Sequence, residues 1–131
     1  MRKMKTIRQS VLFKANPHEI YEMLMDSQKH SGFTGEKASI SREVNGEFSA
    51  YDGYITGLNL ELVPDRKIVQ SWRGKDWSPG HYSKVTISFE EVKDGTRLTF
   101  IQTGVPDEHY DEISQGWHDY YWIPMKKMLE T

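Results

Sequence analysis

Cysteine is absent from the 131-residue chain. Disulfide bridges, thiolate zinc sites and thiol catalysis go with it. The fold must then rest on burial alone, which a chain of this length achieves by hiding roughly two thirds of its unfolded surface. A thiol-free chain suits a reducing compartment, and the expected location is cytoplasmic. No apolar run approaches the roughly 20 residues that a bilayer span needs. The charged start has no apolar stretch behind it, so no secretory signal is expected either. An excess of one charge is also missing, with 17 basic against 19 acidic side chains. Nucleic-acid binding calls for a basic face, and the short cluster Arg2, Lys3 and Lys5 reads as a solvated strand end. Neither nucleic acid nor membrane is therefore expected as a partner.

The usual marks of catalysis are missing too. The five histidines, His18, His30, His81, His109 and His118, form no H-x-H or H-E-x-x-H pair, so they read as surface or capping residues rather than metal ligands. There is no G-x-S-x-G elbow, phosphate loop or dinucleotide fingerprint. Glu47 and Glu61 fall inside strands, where a carboxylate can point into a pocket but more often faces solvent. No catalytic residue, metal or cofactor is assigned, and enzymatic activity is the less favoured reading.

Aromatic residues are plentiful: four Trp, seven Tyr and five Phe make 12% of the chain. Their distribution follows two periodicities. Thr6–Phe13 alternates loosely, as a strand. Asn16-Pro17-His18-Glu19 then carries a helix start, with an N-cap, a proline at the first helical position and Glu three residues after the cap. Ile20, Met23, Leu24 and Met25 mark its inner face. A second short helical turn is predicted over Ser27–His30, broken by Gly32-Phe33-Thr34-Gly35.

From Lys37 to Thr103 the period is two. Asn45-Gly46, Asp52-Gly53, Pro64-Asp65 and Asp94-Gly95 are turn signals between runs of alternating residues. In Tyr54–Val63 the leucines Leu58, Leu60 and Leu62 are expected inside, with Asn59 and Glu61 outside. Ile68, Gln70 and Trp72 share a face, as do Val85, Ile87 and Phe89, and then Leu98 and Phe100. After Pro106 the period returns to 3.6. Ile113, Trp117, Tyr120, Tyr121, Pro124 and Met128 define the inner face of a long C-terminal helix, which Pro124 is expected to kink. His118, Asp119, Lys126 and Lys127 face away. The fold class is α+β: a curved antiparallel sheet of about six or seven strands wrapped around a long C-terminal helix, with two short helices after the first strand. The whole chain, 1–131, is expected to be one domain.

Three stretches carry a family likeness: RQSVLFKANPHEIYEML from Arg8, KIVQSWR at Lys67–Arg73, and GWHDYYWIPMKKM at Gly116–Met128. In this order and spacing the chain resembles the START-like (SRPBCC) superfamily. Within it, the chain is similar to stand-alone domains related to the carboxy-terminal domain of the activators of the heat-shock-protein-90 ATPase. The resemblance implies a helix-grip fold, and its members range from hydrophobic-ligand carriers to co-chaperone domains and cyclases, so fold does not fix function. The eukaryotic co-chaperones carry a further N-terminal domain that 131 residues leave no room for.

Two readings of function follow. In the first, Leu58, Leu60, Trp72, Phe100, Trp117, Tyr120 and Tyr121 line a cavity for a small hydrophobic molecule, because buried Tyr and Trp combine apolar area with a hydrogen-bonding tip. A tightly packed core is the competing expectation. Arg73 is then either a polar anchor for an anionic group or a surface residue. In the second, the chain is a protein-interaction module for a chaperone or another protein. Trp77, in the loop Lys75–Gly80, and Lys126 and Lys127 would be its contacts. A monomer and a homodimer are both compatible, and a cyclase-like enzyme ranks last.

Overall fold

The computed structural model describes residues 3–130. Strand β1 (Met4–Phe13) leads into helices α1 (Pro17–Met25) and α2 (Ser27–Thr34). Six further strands follow: β2 (Ser39–Ile40), β3 (Glu47–Ala50), β4 (Ile55–Val63), β5 (Lys67–Gly74), β6 (Ser83–Val92) and β7 (Gly95–Pro106). All pair antiparallel in one open sheet of order β1-β7-β6-β5-β4-β3-β2. The chain closes with a 3₁₀ turn (Asp107–His109), helix α3 (Tyr110–Trp117), a π turn (His118–Trp122) and helix α4 (Ile123–Leu129). This is the α+β helix-grip arrangement, with the terminal helical segment lying on the inner face of the sheet.

Local chemistry explains the element ends. Asn16 Oδ1 accepts from the Glu19 amide at 2.9 Å, and Pro17 occupies the first turn of α1. Asp26 ends α1 and at once caps α2, accepting from the Lys29 amide at 3.0 Å. One carboxylate thus serves an orphan donor right at the corner between two helices. Helix α2 runs through Gly32 and Phe33 and stops only at Gly35, which is left-handed with φ 78°. The sequence placed the break too early because Phe33 is buried and holds the last turn against the core. Asn45, Asp65 and Asp94 all adopt positive φ in the turns between strands, where short polar side chains tolerate the left-handed region.

Strand β4 reverses one expectation. Leu58 and Leu60 are 38% and 42% exposed on the outer face, whereas Ile55, Gly57 and Asn59 point inward. Asn59 is fully buried: its Nδ2 donates to the carbonyls of Ser41 (2.7 Å) and Glu43 (3.1 Å), and its Oδ1 accepts from Gln70 (3.0 Å). An inward amide is needed there to hold the β2–β3 turn onto the sheet. Position 57 requires glycine, because any Cβ there would run into the Ser71 carbonyl and the Phe48 ring. A bulge between Asn59 and Glu61 then shifts the register, and Leu62 returns to half-buried packing on the core. Hydrophobicity alone reads the strand in the wrong phase, because its inward positions are taken by a glycine and an asparagine.

The last helix shows a second reversal. The amide of Ile123 bonds to the carbonyl of His118, five residues back, immediately before Pro124. A proline inside an α-helix clashes with the carbonyl four residues earlier, and the wider π turn relieves that clash. The extra residue rotates the helix face. Trp122 and Met125 become buried, while Tyr120 (56%) and Met128 (50%) become exposed, against the expectation that both point inward.

The β4 arrangement makes a direct prediction. Asn59→Ala should cost about 2 kcal/mol or more in urea unfolding, since it orphans two turn carbonyls and the Gln70 amide. Leu60→Ser should stay within about 0.5 kcal/mol. Equal costs at the two positions would contradict the observed phase.

Candidate functional site

The π turn and the inner sheet face border an open cavity of about 520 Å³. Trp72 from β5, Ile55 from β4, and Ile113, Trp117 and Tyr121 from the last helical segment form its walls. Tyr51 and Tyr54, from the turn between β3 and β4, close one side. Exposed Glu36, Glu112 and Tyr120 stand at the mouth, and Gly116 contributes bare backbone. A volume in this range, mostly aromatic, is that of a small-molecule site.

The rings are fixed by buried polar partners. Trp117 packs on Phe100 (4.4 Å between centroids), Tyr121 (4.5 Å) and Trp72 (5.7 Å). Its indole Nε1 donates to Gln102 Oε1 at 2.9 Å. Gln102 in turn donates to Ser83 Oγ (2.9 Å), and Ser83 donates to the Trp72 carbonyl (2.7 Å). Trp122, stacked at 20° to Trp117, donates to Gln9 Oε1 at 2.6 Å, while Gln9 Nε2 donates to the Ser114 carbonyl at 2.9 Å. Each indole thus meets a glutamine on the sheet, so neither N–H is left unpaired inside. Gln9 lies in phase with Ile7 and Phe13, and Gln102 with Leu98 and Phe100. A polar residue at an inward strand position beneath a tryptophan was the available signal, and it went unread.

Tyr121 is anchored from behind. Its hydroxyl lies 2.9 Å from His30 Nε2, and His30 Nδ1 lies 3.1 Å from the Leu24 carbonyl. A carbonyl only accepts, so Nδ1 carries the proton and Nε2 accepts from Tyr121. Burial pushes His30 below its ordinary value of 6.5, opposed by the hydrogen bond to Leu24, and the ring is held neutral. Burial also pushes the Tyr121 phenol far upward, helped by the neighbouring Tyr51. Tyr54 is raised by burial and by its 2.6 Å bond to Asp76; that bond holds the Asp76 carboxyl low.

Tyr51 differs from these. Its hydroxyl is buried and finds no hydrogen-bond partner among the described residues. Burial raises its phenol, followed by Tyr120 and Glu36. Its backbone is left-handed, with φ 52°, an uncommon state for a bulky residue. The chain holds this side chain against the Tyr120 ring, 5.6 Å away, at a backbone cost of about 1–3 kcal/mol.

The structure brings together Trp72, Trp117, Tyr120 and Tyr121 around one cavity, with Tyr120 at the rim. Phe100 is fully buried beneath Trp117 and supports the wall. Leu58 and Leu60 lie on the outer face. Trp77 is not an exposed lid: it is 4% exposed, 5.5 Å from Trp72 and stacked on His109 at 5.9 Å. Arg73 does not reach the cavity. Its guanidinium donates to the carbonyls of Trp77 (2.7 Å), Ser78 (3.2 Å) and His81 (3.3 Å), which folds the 75–81 loop back and buries Trp77. The anchor and the loop tryptophan therefore form one structural unit. Glu47 and Glu61 face solvent, Glu61 beside Lys67 at 3.4 Å. Among the described residues, no three His, Cys, Asp or Glu side chains converge as a metal site would require, and no helix is long and apolar enough to cross a membrane.

Fold and cavity together define a helix-grip protein of the START-like class. Residues 14–130 match the family described as Activator of Hsp90 ATPase homolog 1-like protein, and the chain belongs to that family. It is 36% identical over 114 residues to the "Activator of 90 kDa heat shock protein ATPase homolog" of Dictyostelium discoideum, covering 86% of this chain and 30% of that protein. The human "Activator of 90 kDa heat shock protein ATPase homolog 1" is 30% identical over 115 residues, covering 88% and 34%. The chain thus spans about a third of the length of these curated relatives. In solved structures the fold recurs in an HSP90 activator from Plasmodium falciparum (TM-score 0.90, 23% identity, 98% of this chain and 97% of that one). It recurs also in the Aha1 dimer from Colwellia psychrerythraea (TM-score 0.84, 17% identity, 97% of each).

The neutral, buried His30 makes stability depend on pH. Below about 6.5 the unfolded chain takes up a proton that the folded ring refuses, so stability falls as pH drops through that range until the folded ring itself titrates. The slope from this group is at most about 1.4 kcal/mol per pH unit. Urea midpoints measured from pH 7.5 down to about pH 5 should fall less steeply in His30→Gln than in the wild type. Parallel profiles would show that His30 is not held neutral.

Proposed function

We propose that the chain binds a small, mainly apolar molecule in the cavity between the sheet and the last helical segment. The observation that carries this reading is the aromatic cavity of about 520 Å³ itself, walled by rings whose orientation Gln102 and His30 fix. The left-handed backbone at Tyr51 supports the same reading, since strained residues gather at binding sites. The neighbouring rings are immobilised by Gln102 and His30, so the walls are pre-formed, which lowers the entropy lost on binding.

Gly116 offers the cleanest test. It sits in α3 at the cavity wall, and an added Cβ meets only the Tyr120 ring, at 3.6 Å. Gly116→Leu should therefore fill the cavity while favouring the helix by up to about 1 kcal/mol. An environment-sensitive apolar dye, titrated while tryptophan emission is followed, should bind the wild type saturably and one to one. The variant should bind at least about tenfold more weakly with an unchanged circular dichroism spectrum. Equal binding by both proteins would remove the cavity as the site.

A second reading is favoured by family membership and by 36% identity to a relative named as a chaperone ATPase activator. In it the chain is a co-chaperone-like interaction module. Buried Trp77 is then not a contact; the exposed outer side of the last helix, with Tyr120, Ile123 and Lys127, is the surface on offer. ATP turnover by the Hsp90-type chaperone of the same cell, measured with and without this protein, tests it. An unchanged rate would sink the activator version.

A further inference from the structure

The charged side chains that line the cavity all have one sign. Among the described residues that line it, Glu36 and Glu112 are the acidic side chains, and no Lys, Arg or His is present. The two carboxylates reach different phenols: Glu36 acts on Tyr51 and Glu112 on Tyr54, each disfavouring the phenolate. A third carboxylate, Asp76, accepts from Tyr54 at 2.6 Å just behind the wall. The nearest guanidinium, that of Arg73, is committed to three backbone carbonyls and lies over the Tyr82 ring, 5.7 Å from its centroid. The imidazole of His109 is stacked on Trp77.

The walls favour the same sign. Six aromatic rings line the space, and the face of each ring carries the negative part of its quadrupole, which attracts a cation and repels an anion. A carboxylate or phosphate group entering this site would meet like charge at the mouth, negative ring faces inside and no cationic partner.

We propose that the cavity selects an organic cation, an apolar or aromatic body carrying a protonated amine. The body lies among Trp72, Trp117 and Tyr121, and the ammonium sits beside Glu36 and Glu112 at the mouth. This rests on the ligand-binding reading above and reverses the anionic ligand that an Arg73 anchor would have implied.

Three probes with one naphthalene body separate the two levels of the proposal: naphthyl-ethylamine, naphthyl-ethanol and naphthyl-acetate, each titrated calorimetrically at neutral pH and low salt. The amine should bind about tenfold tighter than the alcohol, and the acetate more weakly than either. The preference should shrink at high salt as the rim charges are screened. Both carboxylates are exposed, so the double variant Glu36→Gln, Glu112→Gln should fold normally. It should lose most of the amine's advantage and keep the alcohol's affinity. Equal affinities for amine and alcohol in the wild type, or an amine preference that survives the double variant, would overturn charge selection and leave the cavity reading standing. Failure of the alcohol itself to bind, with the apolar dye also failing, would overturn both.

Discussion

Pro124 brings no amide hydrogen to the last helix, and its ring excludes the carbonyl that a regular α-helical turn would place beneath it. The turn from His118 to Trp122 opens to a π register to admit it. Everything on the inner side of the helix depends on that one added residue. It lets Trp117, Tyr121 and Trp122 all face the sheet, where a regular helix would send Trp122 elsewhere. It also moves Tyr120 to the rim, next to Tyr51. Rare π turns often sit at functional sites, and here the turn forms one wall of the cavity.

Crowding three such rings against a sheet raises a second requirement, because buried indole and phenol groups must be paired. The sheet answers with Gln9 and Gln102, and α2 answers with His30. These partners fix ring orientation more narrowly than packing would, since each hydrogen bond admits a small range of geometry. A cavity beside such walls stays open instead of collapsing. In the 75–81 loop Arg73 gathers the carbonyls, and Trp77 fills the space behind Trp72 with its indole N–H unpaired among the described residues.

Family membership and cavity point to two uses of one scaffold. The match covers residues 14–130 and corresponds to only about a third of the named activators. What those longer proteins do need not reside in this part of them. The cavity is built from this chain's own residues, and its acidic rim and aromatic lining are chemically specific. The two proposed uses would fall on different parts of the last helix: Trp117 and Tyr121 look inward, whereas Ile123 and Lys127 look outward. Tyr120 stands between them at the rim.

Periodicity and capping chemistry made the architecture legible from the sequence. The Asn16-Pro17 helix start, the turns at Asp65 and Asp94, and the apolar inward positions of β5, β6 and β7 all follow from local rules, because at those positions burial and hydrophobicity agree. They disagree in β4 and after Trp117. Leu58 and Leu60 point outward because close strand approach demands glycine at 57 and turn anchoring demands asparagine at 59. Trp122 points inward because the π turn adds a residue that no 3.6-residue pattern contains. Tyr51, Glu36 and Glu112 gave no signal at all, being far apart in the chain and ordinary in composition. By itself, the sequence determined an α+β helix-grip fold with an aromatic inner face. Which rings border open space, and that its rim is acidic, was decided only by tertiary structure, because backbone register and long-range approach set the position of each side chain there, and neither is a property of any local stretch.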